Sequence, residues 1–169
     1  MGGRRRPRRK GGTLKDGERR QLARASRHAE SAVAAPAPGD RALLLCDGGS
    51  RGNPGPSAIA AVLLSPDGHA LQQRAERIGH ATAAQAEYRA ILLALELATA
   101  HGADPIEVRS DSQLAIAAVG SETPAAVEHA ALVREVRAAA NAFTAVRWRW
   151  HPRGANEAAD ALVRELLWP

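Results

Sequence analysis

Four acidic residues stand where their chemistry could be joint: Asp47, Glu87, Asp111 and Asp160. Asp47 follows the apolar run Ala42 to Cys46 and opens the stretch Gly48-Gly49-Ser50-Arg51-Gly52-Asn53-Pro54-Gly55-Pro56. Glu87 lies in the first turns of a long helical pattern. Asp111 ends a strand pattern where a helix begins, and Asp160 lies in the first turns of the last helical pattern. Strand ends and helix starts on one edge of an α/β sheet converge, and that edge is where such folds place their sites. Four carboxylates gathered there would repel one another strongly without cations. The natural relief is a hard divalent ion, and Mg²⁺ (or Mn²⁺) suits carboxylates, water and a substrate phosphate. Two such ions about 4 Å apart would clamp a phosphodiester, activating water on one side and stabilising the leaving oxygen on the other. Each acid also has a plainer reading. Asp47-Gly48 is an ordinary turn pair. Glu87 and Asp160 suit a helix N-terminus by charge alone, and Asp111 in Ser110-Asp111-Ser112 could cap a helix.

The elements that must position these acids alternate along the chain. Residues 42–47 and 58–65 read as strands joined by the glycine-rich turn. Ser65-Pro66-Asp67-Gly68 turns into a third strand at 69–78. A helix at 83–100 carries Ile91, Leu92, Leu95 and Ala98 at helical spacing, with Thr82 as N-cap and Gly102 as its stop. A strand at 105–110 and a short helix at 112–119 follow. A further helix at 124–143 has Pro124 near its first turn and Val127, Ala131, Val133 and Val136 inward. Val146-Arg147-Trp148-Arg149-Trp150 alternates as a fifth strand. Residues 156–168 form the last helix, with Ala159, Leu162, Val163, Leu166 and Leu167 inward. The order β-β-β-α-β-α-α-β-α predicts an α/β fold: a five-stranded mixed sheet, three of its strands a meander, flanked by helices.

Charge divides the chain of 169 residues in two. Residues 1–40 hold 11 Lys or Arg against 4 Asp or Glu, a net of +7. Residues 41–169 hold 12 against 14, a net of −2. The chain is therefore expected to be a basic, largely disordered tail and linker over 1–40 and a catalytic domain over 41–169. Within the tail, residues 16–33 have the composition of a transient helix and residues 34–39 that of a linker. Such a tail reads as an electrostatic arm for nucleic acid, or as a merely solvated extension. The single Cys46 excludes an intrachain disulfide and a cysteine zinc cluster. No apolar run approaches the ~20 residues of a membrane span, and the basic start lacks the apolar core of a secretory signal. A soluble, cytoplasmic monomer with no membrane association is the expectation.

Four stretches, in order, resemble the motifs of the type 1 ribonuclease H (ribonuclease HI) family. They are Asp47 to Pro56, Thr82-Ala83-Ala84-Gln85-Ala86-Glu87-Tyr88-Arg89-Ala90, Ser110-Asp111-Ser112-Gln113-Leu114, and Trp150-His151-Pro152-Arg153-Gly154-Ala155-Asn156-Glu157-Ala158-Ala159-Asp160-Ala161-Leu162. The element order is that family's too. The resemblance implies a ribonuclease H fold and an endonuclease that uses two metal ions to cut the RNA strand of an RNA–DNA hybrid, leaving 5′-phosphate and 3′-hydroxyl ends. It implies Asp47 as the ligand bridging both ions, Asp160 completing one shell, and Glu87 with Asp111 the other. Glu87 would also meet a ribose 2′-hydroxyl, the group that separates RNA from DNA. Gly48, Gly49, Ser50, Asn53, Gln85, Gln113, Arg153 and Asn156 are the implied substrate contacts.

The chain departs from the family pattern in three places. Ala83 and Ala84 stand where the family commonly has two Asn that reach bases in the minor groove. The segment from Asp111 to Asp160 has no Lys/Trp-rich insertion, which is similar to the compact archaeal-like and actinobacterial branch without a basic protrusion. The tail could supply that missing charge. His151, directly after strand five, is either a catalytic proton carrier or a packing residue, and Arg153 could contact phosphate in its place. Trp148 and Trp150 read as packing on a sheet face in preference to base stacking, and Cys46 as pointing to the buried face. Two rival functions remain from the sequence: a hybrid-binding module of this fold with weak or no hydrolysis, and another phosphoryl-transfer enzyme such as a junction resolvase or exonuclease.

Overall fold

A computed structural model describes residues 39–121 and 124–169. The expected arm, its helical stretch and the linker up to residue 38 lie outside the described residues. Five strands form one sheet: β1 (Ala42–Ser50), β2 (Gly55–Leu64), β3 (Ala70–Ala81), β4 (Ile106–Ser110) and β5 (Val146–Trp150). Their spatial order is β3-β2-β1-β4-β5. The meander pairs antiparallel, and β4 and β5 add in parallel to the other edge of β1. β1 is thus the central strand. Its residues Ala42 to Cys46 are buried on both faces, which explains why the run is continuously apolar and does not alternate.

Among the described residues four α-helices accompany the sheet: α1 (Ala83–His101), α2 (Gln113–Gly120), α3 (Ala130–Ala140) and α4 (Glu157–Leu167). One face of the sheet, with Leu44, Cys46, Ile106 and Val108, packs against α1, α2 and α3. The other face, with Leu43, Leu45, Ala60 and Val62, packs against Leu162, Val163 and Leu167 of α4. Helix α4 covers only the β1–β2–β3 half of that face. No described helix is long and apolar enough to cross a membrane.

Helix α1 begins and ends as its sequence predicts. Thr82 Oγ1 accepts from the Gln85 amide at 3.1 Å, and Gln85 Oε1 accepts from the Thr82 amide at 2.9 Å, closing a capping box. Gly102 ends the helix in the left-handed region at φ 70°. The expected helix over 124–143 is shorter. Residues Val127–His129 form a 3-10 turn, and α3 starts only at Ala130. Ala126 is extended (φ −52°, ψ 140°) and offers no capping side chain. Val127 and Ala131 lie outside, not inward, because Val133 and Val136 fix the buried stripe in a different phase.

Candidate active site

The bare end of β1 is what lets the site form. Strand β1 runs past Asp47 through Gly48 and Gly49, so these glycines are strand residues and not turn residues. A Cβ on Gly48 would lie 2.3 Å from the backbone of Ala86 and 2.6 Å from the Glu87 amide. On the opposite face, a Cβ on Gly49 would lie 2.9 Å from Val163. Their missing side chains therefore admit α1 from one side and α4 from the other, carrying Glu87 and Asp160 toward Asp47. The turn beyond is braced as well: Asn53 Oδ1 accepts from the Ala83 amide at 3.0 Å. Gly52 supplies φ 92° within it.

Asp47, Glu87 and Asp111 each offer a carboxylate oxygen within 4.8 Å of the others. Asp47 is 1% exposed. Its Oδ1 and Glu87 Oε2 are buried without a hydrogen-bond partner. Burial, then the charges of Asp111 and Asp160, push the Asp47 carboxyl up to about 7, with Arg153 pulling the other way. Burial, then Asp47 and Asp111, push Glu87 up to about 9, against Arg153 and the Gly48 amide. Unpartnered buried carboxylate oxygens, held reluctant to ionise by one another, are the donor set that a hard divalent cation neutralises. The three acids fit such an ion.

The fourth acid stands slightly apart. Asp160 forms an ion pair with Arg164 one turn along α4, and its Oδ1 lies 3.8 Å from Arg153 Nε. Arg153 Nε also donates to Asp111 Oδ2 at 3.2 Å. Two guanidiniums thus flank the cluster. Asp47, Glu87, Asp160, Arg153 and Arg164 line one cleft of about 510 Å³, together with Gly48, Gly49, Ser50, Ala83 and Trp168. Arg164 escaped the sequence reading, although its i+4 spacing from Asp160 signals the pair.

Several expected roles change with the structure. Asp111 does not cap α2; Ser112 does, its Oγ accepting from the Ala115 amide at 3.3 Å, which leaves the Asp111 carboxylate to accept from Arg153 beside Asp47 and Glu87. Asn156 is 0% exposed, so it cannot contact substrate. Its Nδ2 donates to Cys46 O at 2.9 Å, and its carbonyl accepts from the Asp160 amide at 3.1 Å. One buried amide therefore ties the residue before Asp47 to the turn that carries Asp160. Gln85 spends its oxygen on the helix cap. His151 is 8% exposed with Nε2 buried, and the cleft does not include it. Its amide donates to Ser110 O at 3.1 Å, extending the β4–β5 pairing to the residue before Asp111. Burial, then Arg109, lower its pKa. The backbone of His151 positions a strand end, and its imidazole is buried outside the cleft. Ser50, Asn53, Gln113 and Arg153 remain accessible. Cys46 is buried as expected. Trp148 packs into the core against Gly120. Trp150 does not pack as expected: it is 46% exposed, its Nε1 donating to Asp111 O at 3.1 Å.

Comparison with known proteins agrees with this geometry. Residues 45–166 match a family model described as "Reverse transcriptase-like". A ribonuclease HI of Halobacterium salinarum is 40% identical over 141 residues, covering 81% of this chain and 69% of that protein. The solved N-terminal RNase H domain of a Mycobacterium tuberculosis protein is 32% identical with a TM-score of 0.70, covering 75% of this chain and 93% of that one. LC11-RNase H1, solved in complex with an RNA/DNA hybrid, is 29% identical with a TM-score of 0.67, covering 74% and 95%. The chain spans only 35% of the full mycobacterial bifunctional protein. A sheet ordered β3-β2-β1-β4-β5 with acids gathered at the end of its central strand, and relatives of this kind over most of its length, place the chain in one family: it belongs to the type 1 ribonuclease H (ribonuclease HI) family.

Proposed function

We propose that this chain is an endonuclease that hydrolyses the RNA strand of RNA–DNA hybrids with Mg²⁺ or Mn²⁺, leaving 5′-phosphate and 3′-hydroxyl ends. The observation that carries the reading is the Asp47–Glu87–Asp111 cluster, with its two unpartnered buried oxygens at the floor of an open cleft. Asp47, Glu87, Asp111 and Asp160 would hold the two divalent ions, whose chemistry is to activate water and stabilise the leaving oxygen of a phosphodiester. The protein's own residues do the rest. Gly48 and Gly49 let α1 and α4 close on Asp47, and the exposed turn at residues 51–54 beyond them leaves room for a sugar–phosphate backbone. Arg153 and Arg164 put positive charge on the cleft wall, where substrate phosphates arrive. Glu87, which lines the same cleft, is the acceptor for a ribose 2′-hydroxyl and so selects the RNA strand. Ala83 and Ala84 are exposed and present only methyl groups at the start of α1. Minor-groove bases gain no hydrogen bond there, and grip on the hybrid falls to phosphate contacts, including those of the basic tail.

The test is direct. Labelled RNA–DNA hybrid, double-stranded RNA and double-stranded DNA are incubated with Mg²⁺, with Mn²⁺ and with EDTA. The proposal expects cleavage of the hybrid's RNA strand, dependent on the metal. A chain that binds hybrid but leaves it intact with either metal would be a binding module of this fold.

A further inference from the structure

The half of the sheet face that α4 leaves uncovered carries a buried carboxylate beneath arginines. Glu107 of β4 is 0% exposed. Asp and Glu are almost never fully buried unless paired, and Glu107 is paired three times over. Arg109 Nε lies 2.7 Å from Oε1, Arg147 Nη1 lies 3.3 Å from Oε2, and Arg149 Nε lies 3.9 Å from Oε1. Arg109 is buried with Glu107 and is its shortest partner. The Arg147 and Arg149 side chains are 40% and 52% exposed. What Glu107 does is hold two surplus guanidiniums over an open strip of sheet.

The strip leads into the cleft. Arg147 and Arg149 lie on the same face of β5, two residues or about 6.6 Å apart along the strand. The chain then passes His151 and reaches Arg153, which meets both Asp111 and Asp160. Arg147, Arg149 and Arg153 thus follow one another along the chain from β5 to the acids, and the ~6.6 Å between the first two is comparable with the spacing of successive phosphates of an extended nucleic-acid strand. The occupant must be an anion, which excludes the net-positive tail of this chain. A row one side chain wide fits one backbone and not two.

We propose that Arg147 and Arg149 form a track for a single-stranded extension of the RNA strand, continuing from the phosphodiester held at Asp47 past the end of the hybrid. This deepens the ribonuclease H reading and rests on it. The track recognises phosphates, and the fixed guanidiniums bind without first having to be ordered.

The experiment compares the full chain with its R147Q/R149Q variant by fluorescence anisotropy in EDTA, where no cleavage occurs. The probes are one blunt hybrid, the same hybrid with an RNA-strand extension at its 5′ or its 3′ end, and the same hybrid with a DNA-strand extension. The expected result is weaker binding of one RNA-extended probe only. Its log–log salt slope should be shallower by about 1.4, two single-strand phosphate contacts, so the wild-type advantage shrinks about sevenfold between 50 and 200 mM salt. Equal losses on blunt and extended probes would overturn the track in favour of a duplex contact. No loss on any probe would overturn it outright. The tail is present in both proteins and cancels. If the double variant fails to fold, Arg149→Gln alone, at the weakest of the three ties to Glu107, carries the test with half the change in slope. Cleavage of the blunt hybrid by both proteins in Mg²⁺ tests the ribonuclease reading separately.

Discussion

Replacing Glu87 by Gln should stabilise the metal-free protein, by an amount that depends on pH. The Glu87 carboxyl is pushed up to about 9 from an ordinary value of 4.5. A carboxyl whose folded pKa is raised favours the folded state only while it is protonated. Stability is intact below about pH 4.5 and falls as pH rises toward 9. Each unit costs about 1.4 kcal/mol, so by pH 7 the loss is about 3 kcal/mol. Asp47 and Glu87 raise each other, so their costs do not simply add. Gln keeps the shape and discards the charge. For a domain of this size the variant should melt about 10 °C above wild type at pH 7 in EDTA, and at the wild-type temperature near pH 4.5. Thermal melts followed by circular dichroism from pH 4 to 9 give the comparison. Mg²⁺ should close the gap at pH 7, since an ion bound at the acids stabilises wild type more than the variant. Parallel melting curves across the pH range in EDTA would show that burial and the neighbouring acids do not hold Glu87 reluctant to ionise.

Three further outcomes follow from the packing around the site. Gly48→Ala forces a Cβ against the Ala86 backbone at 2.3 Å and should cost about 3 kcal/mol in urea unfolding, with hydrolysis of hybrid falling because α1 is displaced. Asn156→Ala removes the buried bond to Cys46 O and should cost about 1–3 kcal/mol; steady-state kinetics should show kcat falling more than KM rises, because it positions acids and does not touch substrate. Deleting residues 1–40 should raise KM for hybrid and flatten its salt dependence, and unchanged kinetics would show that the tail is no nucleic-acid arm.

The acids, the order of elements along the chain and the meander were legible because each is a local signal. Asp111 sits between a strand and a helix, Asp160 in the first turn of α4 and Asp47 just before the glycines of β1, and the meander follows from two short turns. The pairing of β4 beside β1 follows from parallel entry through α1. What escaped was set by partners distant in sequence. Gly48 reads as a turn residue until Ala86 is brought against it. Asn156 reads as polar and exposed until Cys46 O meets it 110 positions away. The helix expected from Pro124 shortens because the core accepts Val133 and Val136 and not Val127. The Glu107 network was written in alternation, as Glu107-Val108-Arg109 on β4 and Arg147-Trp148-Arg149 on β5. Only the parallel register between those strands shows that the charges meet.

Hydrolysis of RNA by the acid cluster at the end of β1, with bound divalent ions, is the function on which the other outcomes depend. It is tested most directly by titrating Mg²⁺ against the initial rate of hybrid cleavage for wild type and Asp47→Asn together. A saturating, Mg²⁺-dependent rate is expected for wild type and a rate at least about a thousandfold lower for Asp47→Asn, about 4 kcal/mol of lost transition-state stabilisation. That variant should fold and melt no lower than wild type in EDTA, since it too sheds a strained charge. An Asp47→Asn protein that cleaves within about tenfold of wild type would contradict the account.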